Sequence, residues 1–300
     1  MWGQPLVLAI ALLFEAIDVP RRWRGYLVSR LAPPQAHPAS LIYKAAARLA
    51  VRGRVLRNTA VVLLLTVSTA LVFWAVQAYL GSGLWQAVVE AYLLKLTFSE
   101  THILYPCLWE YRRDECPREV VQQFVRRDLS SASCPHVASA CLESAAESFV
   151  DSFVSPLFWY ALLGLPGAWI QRAANMLDGL MGFKEWGRSG TAAARLDTAL
   201  NWAPARIAAV FILASAYLVG SRPNLRALKD RHLVESINAR WPISAIAAAV
   251  HVKLEKPGSY SVGSGDLPCR EDVRKGLAVL AVAMALYSAA LLSSLYIIYI

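Results

Sequence analysis

In the segment CLESAAESFVDSFVSP, Glu143, Glu147 and Asp151 recur every four residues. On a helix this spacing stacks three carboxylates along one face, one turn apart. Like charges so placed repel, and the stretch holds no Lys or Arg to relieve them. A cation carrying a nucleotide would do so, which points to Mg²⁺ and ATP and hence to phosphoryl-transfer chemistry. A solvated acidic face accounts for the spacing equally well when it is taken alone. The neighbourhood favours the cation. The other faces of this helix are Ala, Phe and Val, and it runs straight into an apolar segment, so Asp151 meets a bilayer boundary where uncompensated charge is expensive.

A second constellation lies in NMLDGLMGFKEWGRSGTAAARLDTALNWAPARIAA. Here Asn175, Asp178, Lys184, Arg188, Arg195, Asp197, Asn201 and Arg206 alternate with small residues. Gly179, Gly182, Gly187 and Gly190 would let backbone amides approach phosphate or carboxylate oxygens, with Lys184 and Arg188 supplying charge. A cytoplasmic loop with ordinary helix ends is the competing explanation. A third patch, RHLVESINARWPISAIAAAVHVKLEKPGSY, joins His232, Glu235 and Asn238 to an Ala-rich helix and then to Lys253, Glu255, Lys256 and Tyr260. Small residues permit close helix packing in lipid, and KLEKPGSY reads as a turn. No GxxxxGK[ST], GxGxxG or HExxH occurs, so the common nucleotide and zinc-peptidase frameworks are absent. The five cysteines form no CxxC pair and no zinc spacing with His. Whether Cys116 and Cys134 clip the loop between them is left open, since cytoplasmic disulfides are uncommon outside hyperthermophiles.

The elements that must hold these groups are membrane helices. Hydrophobic residues make up 57% of the 300, with ten Trp and a mean hydropathy of +0.41; this composition calls for lipid as solvent. The uncharged runs 59–80 and 276–300 are each long enough, at 1.5 Å per helical residue, to cross a hydrocarbon core of about 30 Å. Shorter or punctuated candidates are 5–17, 84–98, 152–171 and 207–221. Within 152–171, Pro156, Gly164, Pro166 and Gly167 loosen backbone hydrogen bonds, so a broken or re-entrant helix lining a cavity stands beside a straight span. The expected architecture is all-α, a single polytopic membrane domain over 1–300 with polar cytoplasmic loops. The N-terminus lacks a basic segment before its apolar run and a cleavage site after it, which reads as an uncleaved anchor. Residues 20–57 hold nine Lys/Arg and no Asp/Glu, matching the whole net charge of +9, and the positive-inside rule puts them in the cytoplasm. Such a segment meets anionic lipid headgroups; no nucleic-acid motif accompanies it.

Taken in order, ESAAESFVDSFVSPLFWYALLGLPGAW, NMLDGLMGFK, ARLDTALNWAPARIAA and INARWPISAIAAAVHVKLEKPGSY resemble the adenosylcobinamide-phosphate synthase family of cobalamin biosynthesis (CbiB/CobD type). The resemblance extends upstream through Arg127-Asp128, the AHP at 36–38 and EAIDVP, and so covers nearly the whole chain. It implies an integral membrane ligase that uses Mg-ATP to join the carboxylate of adenosylcobyric acid to the amine of aminopropanol or its O-phosphate. On that reading Glu143, Glu147 and Asp151 serve metal or amine, and Asp178 and Asp197 are supporting acids. Lys184, Arg195 and Arg206 hold phosphate or corrinoid carboxylates. Asn175, Asn201, Arg127, Asp128, Asn238 and Lys256 complete the binding set. The partners are a corrinoid, a small amine and membrane lipid, with a homo-oligomer or a pathway protein left open.

Four positions depart from the family pattern: Ser148 replaces an Asn, Thr198 an acid, Gly179 a Ser, and Arg240 a Gly, bringing a bulky cation to a tight place. They favour, as the alternative, a non-catalytic relative that binds a corrinoid or signals. A transporter would need ionisable residues inside its spans, and the two clear spans have none.

Overall fold

The computed structural model describes residues 3–18, 28–33, 35–81, 83–99 and 101–299. The first part of the basic segment, 19–27, and with it the end of EAIDVP, lies outside the described residues. In chain order, α1 (Gln4–Ile17), α2 (Pro38–Leu49), α3 (Val55–Tyr79) and α4 (Leu84–Lys95) precede α5 (Thr101–Glu110), α6 (Arg118–Gln122) and α7 (Cys134–Phe149). A π turn at Val150–Val154 leads from α7 into α8 (Ser155–Met181). Then follow α9 (Thr191–Leu200), α10 (Trp202–Leu218) and α11 (Arg240–Val250). The antiparallel strands β1 (Lys253–Lys256) and β2 (Tyr260–Gly263) come before α12 (Arg270–Tyr299). The all-α expectation holds, with the PGS turn of KLEKPGSY closing this short hairpin.

Three helical stretches are long and apolar enough to cross a membrane: Val55–Tyr79, Cys134–Met181 and Arg270–Ile298. A bent pair, Lys184–Leu200 with Trp202–Leu218, would make a fourth. The expected runs 59–80 and 276–300 overlap the first and third almost completely, ending one and two residues beyond them in sequence. The candidates 152–171 and 207–221 fall largely inside the 48-residue stretch and the bent pair, whereas 5–17 and 84–98 became α1 and α4, of 14 and 12 residues. At 1.5 Å per residue these two are too short to span alone. On α3, Leu63, Leu64, Val67, Leu71 and Trp74 are exposed at helical spacing, an apolar stripe that suits lipid and not water.

The chain forms two compact units, each assembled from separated segments: 1–99, 155–201 and 290–300 in the first, 100–154 and 202–289 in the second.

In the first unit, α1 and α4 are joined by a buried charge cluster. Lys95 Nζ lies 2.9 Å from both Glu15 Oε2 and Asp18 Oδ2, and Val28 N–H donates to Asp18 Oδ1 at 2.7 Å. The helix α3 packs on α8 with Phe73 stacked on Trp169, ring centroids 4.2 Å apart. At the start of α3, Asn58 donates to Val51 O and Ser189 O and accepts from Val51 N–H, so the turn before the helix and the loop after α8 hang on one buried amide. The expected break in α8 is at Gly164, where φ is +67° and ψ −157°. That conformation excludes a Cβ for steric reasons, and Gln77 Oε1 would stand 2.9 Å from one. Gly164→Ala should therefore lower stability by about 1–3 kcal/mol, read as an earlier unfolding midpoint in detergent.

In the second unit, residues 242–250 of α11 are all buried, and their small side chains bring it against α10 and α7. Gly276 of α12 passes so close to Leu142 of α7 that a Cβ there would collide with it. Tyr287 of α12 donates 3.0 Å to Val154 O in the π turn. That turn shifts the backbone pairing from four residues to five, so a carbonyl beside it can take a side-chain donor.

Candidate functional site

The central helix of the second unit, α7, carries Ser139, Glu143 and Glu147 at four-residue spacing. Glu143 is buried and fully engaged. Its Oε1 accepts from Ser139 Oγ (2.8 Å), while Oε2 accepts from Tyr260 Oη (3.0 Å) and lies 3.1 Å from Arg127 Nη1. The β1–β2 hairpin supplies Tyr260, and it is tied to α7 where Glu255 N–H donates 2.7 Å to Ser139 Oγ. Burial, and then the charges of Glu143 and Glu147, hold the Tyr260 phenol far above its ordinary range, so it stays a donor. On the exposed side of the hairpin, a hydrogen bond from His136, then Lys253, keep the Glu255 carboxyl below its ordinary range.

The stretch itself holds no Lys or Arg, but Arg127, sixteen residues before Glu143 in sequence, supplies Glu143 with a cation. Glu147 is different. It is half-buried, feels Glu143, Lys256 and Arg127 electrostatically, and makes no hydrogen bond to described residues. Arg127 Nη2 is buried without a hydrogen-bond partner among the described residues. Asp151 belongs to the π turn and not to α7, where the wider turn changes the angular step, so the four-residue spacing no longer continues the same stripe. Among the described residues no group of three or more His, Cys, Asp or Glu is placed to hold a metal ion. The three-carboxylate set inferred from spacing is thus divided by a guanidinium and a π turn.

A second polar cluster sits in the first unit. Gln171, Asn175 and Asp178 share a face of α8, while Asp197 lies in the last turn of α9 and Asn201 caps that helix at its C-terminus. Asn201 Nδ2 donates 2.9 Å to Asp197 Oδ1, Gln171 Nε2 donates 3.3 Å to Asn201 Oδ1, and Asn175 stands near enough to act on Asp197. Asp178 stands close enough for its charge to bear on Asp197. Beneath them Leu177, Met181 and Ala193 join Ala46 and Val62 in an apolar core. This grouping of two carboxylates, Asp178 and Asp197, with three carboxamides, Gln171, Asn175 and Asn201, is an oxygen-rich set, the kind a hard cation takes.

Two of the four glycines prove to be packing positions. A Cβ on Gly182 would collide with the Asp178 carboxylate, and one on Gly190 with Met181 O, while Gly179 and Gly187 have open space. Gly182→Ala should displace the Asp178 side chain and cost about 1–3 kcal/mol. A circular-dichroism melt in detergent checks this, and an unchanged midpoint would show that Asp178 simply turns aside.

Other expected residues go elsewhere. Lys184, Arg188 and Arg195 are exposed on or beside the loop after α8. Asp128 is exposed and accepts from Ser130 N–H and Oγ at 2.8 and 2.9 Å, which holds its carboxyl below its ordinary range and uses it in a turn. In the second unit the Arg206 guanidinium lies 4.0 Å from the Trp202 ring centroid and 5.1 Å from that of Trp241, with Arg231 4.9 Å from the same indole. Arg240 folds back to donate to Ser236 O and Val234 O, so the cation expected to crowd a tight place instead caps its own loop. Asn238 precedes it, half-buried. The structure also pairs Cys116 with Cys134, Cα atoms 5.0 Å apart. Ser139, which the sequence reading missed and only its four-residue step to Glu143 could have shown, and Tyr260, named in the third patch but given no role, complete the Glu143 site.

The profile of the CobD/Cbib protein family matches residues 9–288. The chain is 39% identical over 266 residues to a probable cobalamin biosynthesis protein CobD of Aeropyrum pernix, covering 84% of this chain and 83% of that one. It is 31% identical over 300 residues to the cobalamin biosynthesis protein CobD of Rhodobacter capsulatus, covering 92% and 94%. No solved structure matches it significantly. With a profile match across nearly the whole length and relatives similar from end to end, the chain belongs to the CobD/CbiB family.

Proposed function

We propose that this chain is a membrane enzyme of cobalamin biosynthesis, the ATP-dependent ligase that joins the carboxylate of adenosylcobyric acid to the amine of aminopropanol or its O-phosphate. Family membership supports the pathway. The observation that carries the chemistry is Glu147, a half-buried carboxylate with no hydrogen bond among described residues, next to the paired Glu143 and Arg127. Amide formation from a carboxylate needs phosphoryl activation, positive charge for the departing phosphate, and an amine that is neutral when it attacks. Glu147 would accept the amine's proton. Arg127, whose buried Nη2 has no hydrogen-bond partner among the described residues, and Lys256 would hold phosphate or substrate carboxylate oxygens.

For Mg²⁺ the donor set of Asp178, Asp197, Asn175 and Asn201 fits by chemistry better than the stripe on α7, where Glu143 is already saturated by three donors. When bound, the ion supplies charge neutralisation for nucleotide phosphates.

The alternative, a relative that binds a corrinoid without turnover, draws on Ser148, Thr198, Gly179 and Arg240. One experiment separates them. The detergent-purified protein is given Mg-ATP, a corrinoid acid and aminopropanol phosphate, and mass spectrometry looks for the amide. Amide that depends on ATP supports the ligase; corrinoid binding with no amide supports the alternative.

A further inference from the structure

Within the second unit, α5 carries Cys107 and α7 carries Cys141, both completely buried. Their sulfurs are 2.7 Å apart, inside the contact distance of two non-bonded sulfur atoms. The pair has company. Cys134 is seven residues before Cys141, two turns of α7, so both cysteines lie on one face of that helix, and Cys134 is already joined to Cys116. Buried Tyr111 lies between Cys107 and Cys116 in sequence and is close enough to feel both Cys107 and Cys141. The segment leaving α5 is thereby held against the same face of α7 at two levels. No third ligand converts the two thiols into a metal site among the described residues.

We propose that Cys107 and Cys141 form a second disulfide, nested outside Cys116–Cys134, which fastens α5 to α7. The oxidant is a disulfide-bearing reagent, small molecule or protein. One of the two thiols, as thiolate, attacks a sulfur of the reagent and releases one reagent thiol; the second then attacks the mixed disulfide and releases the other. One S–S bond is consumed and one is formed, and the two cysteine protons end on the two reagent thiols. The enclosed stretch contains Arg127, which reaches Glu143 just two residues beyond Cys141. The outer bridge therefore anchors the loop that delivers Arg127 at the position nearest to its target. It leaves exposed Cys269 as the one thiol of the five cysteines.

Cells are lysed into excess alkylating agent, so that purification creates no new bridge, and the protein is denatured without reductant and its mass taken. One alkylated cysteine per chain is expected, rising to five when reductant precedes alkylation. Five labels without reductant, or three with Cys107 and Cys141 among the labelled residues, would overturn the proposal. The Cys116→Ser/Cys134→Ser variant isolates the outer pair: it should also take one label unreduced and three after reduction, while three in both states would overturn it. Should that variant fail to accumulate, the wild-type label count and the linkage between its proteolytic fragments decide the question by themselves.

Discussion

Replacing Arg127 with Met is expected to weaken the folded state by about 3–5 kcal/mol, the cost of leaving a buried carboxylate without its cation. Glu143 is 5% exposed and accepts three donors, of which Arg127 alone is charged. The remaining two, from Ser139 and Tyr260, are neutral hydrogen bonds contributing about 1 kcal/mol each, too little to compensate for a desolvated charge. The loss belongs to the unpaired acid and not to the pair as such. Adding Glu143→Gln to Arg127→Met should therefore recover most of it, because a carboxamide carries no charge, and its oxygen can accept from one of the Ser139 and Tyr260 hydroxyls while its NH2 donates to the other. Chemical unfolding in detergent, followed by tryptophan fluorescence, measures both variants. A neutral Arg127→Met would mean that water solvates Glu143 and that the site is no more than a surface ion pair.

Glu147→Gln should reduce amide formation by roughly 10²- to 10⁴-fold, the usual contribution of a positioned general base, while leaving the unfolding midpoint unchanged or higher. The two readouts move apart for a physical reason. Glu147 accepts no hydrogen bond from the described residues, and its charge opposes that of Glu143 one turn away, so the fold gains nothing from it. An amide oxygen occupies the same space but cannot take a proton from an ammonium group. Wild-type turnover in this variant would reduce Glu147 to a solvated carboxylate and remove the base from the mechanism proposed above.

Contrast between Glu143 and Glu147 was invisible in one dimension. Both lie at the same period on a helix that the sequence reads correctly, because Ala, Phe and Val on the remaining faces and the four-residue recurrence are local properties. Their partners are distant in the chain. Arg127 comes from the loop before α7, and Tyr260 from a hairpin more than a hundred residues later. Asp151 shows a different limit: periodicity was extended through Val150–Val154 as though the helix were uniform, and the π turn ended it. The glycines after α8 show a third. Composition suggested exposed amides for an anion, yet Gly182 and Gly190 exist because Asp178 and Met181 O occupy the space where a Cβ would stand.

By itself the sequence determined the solvent and the period. Uncharged runs long enough to cross lipid, helix-breaking Gly and Pro in 152–171, and an ordered series of motifs follow from residue type and spacing, which the chain carries locally. Tertiary structure decided which charges meet. It gave Glu143 a guanidinium, left Glu147 without a hydrogen bond among the described residues, gathered Asp178 with Asp197 and three amides, and brought Cys107 beside Cys141. Such encounters depend on distances between segments far apart in the chain, and no local pattern encodes those.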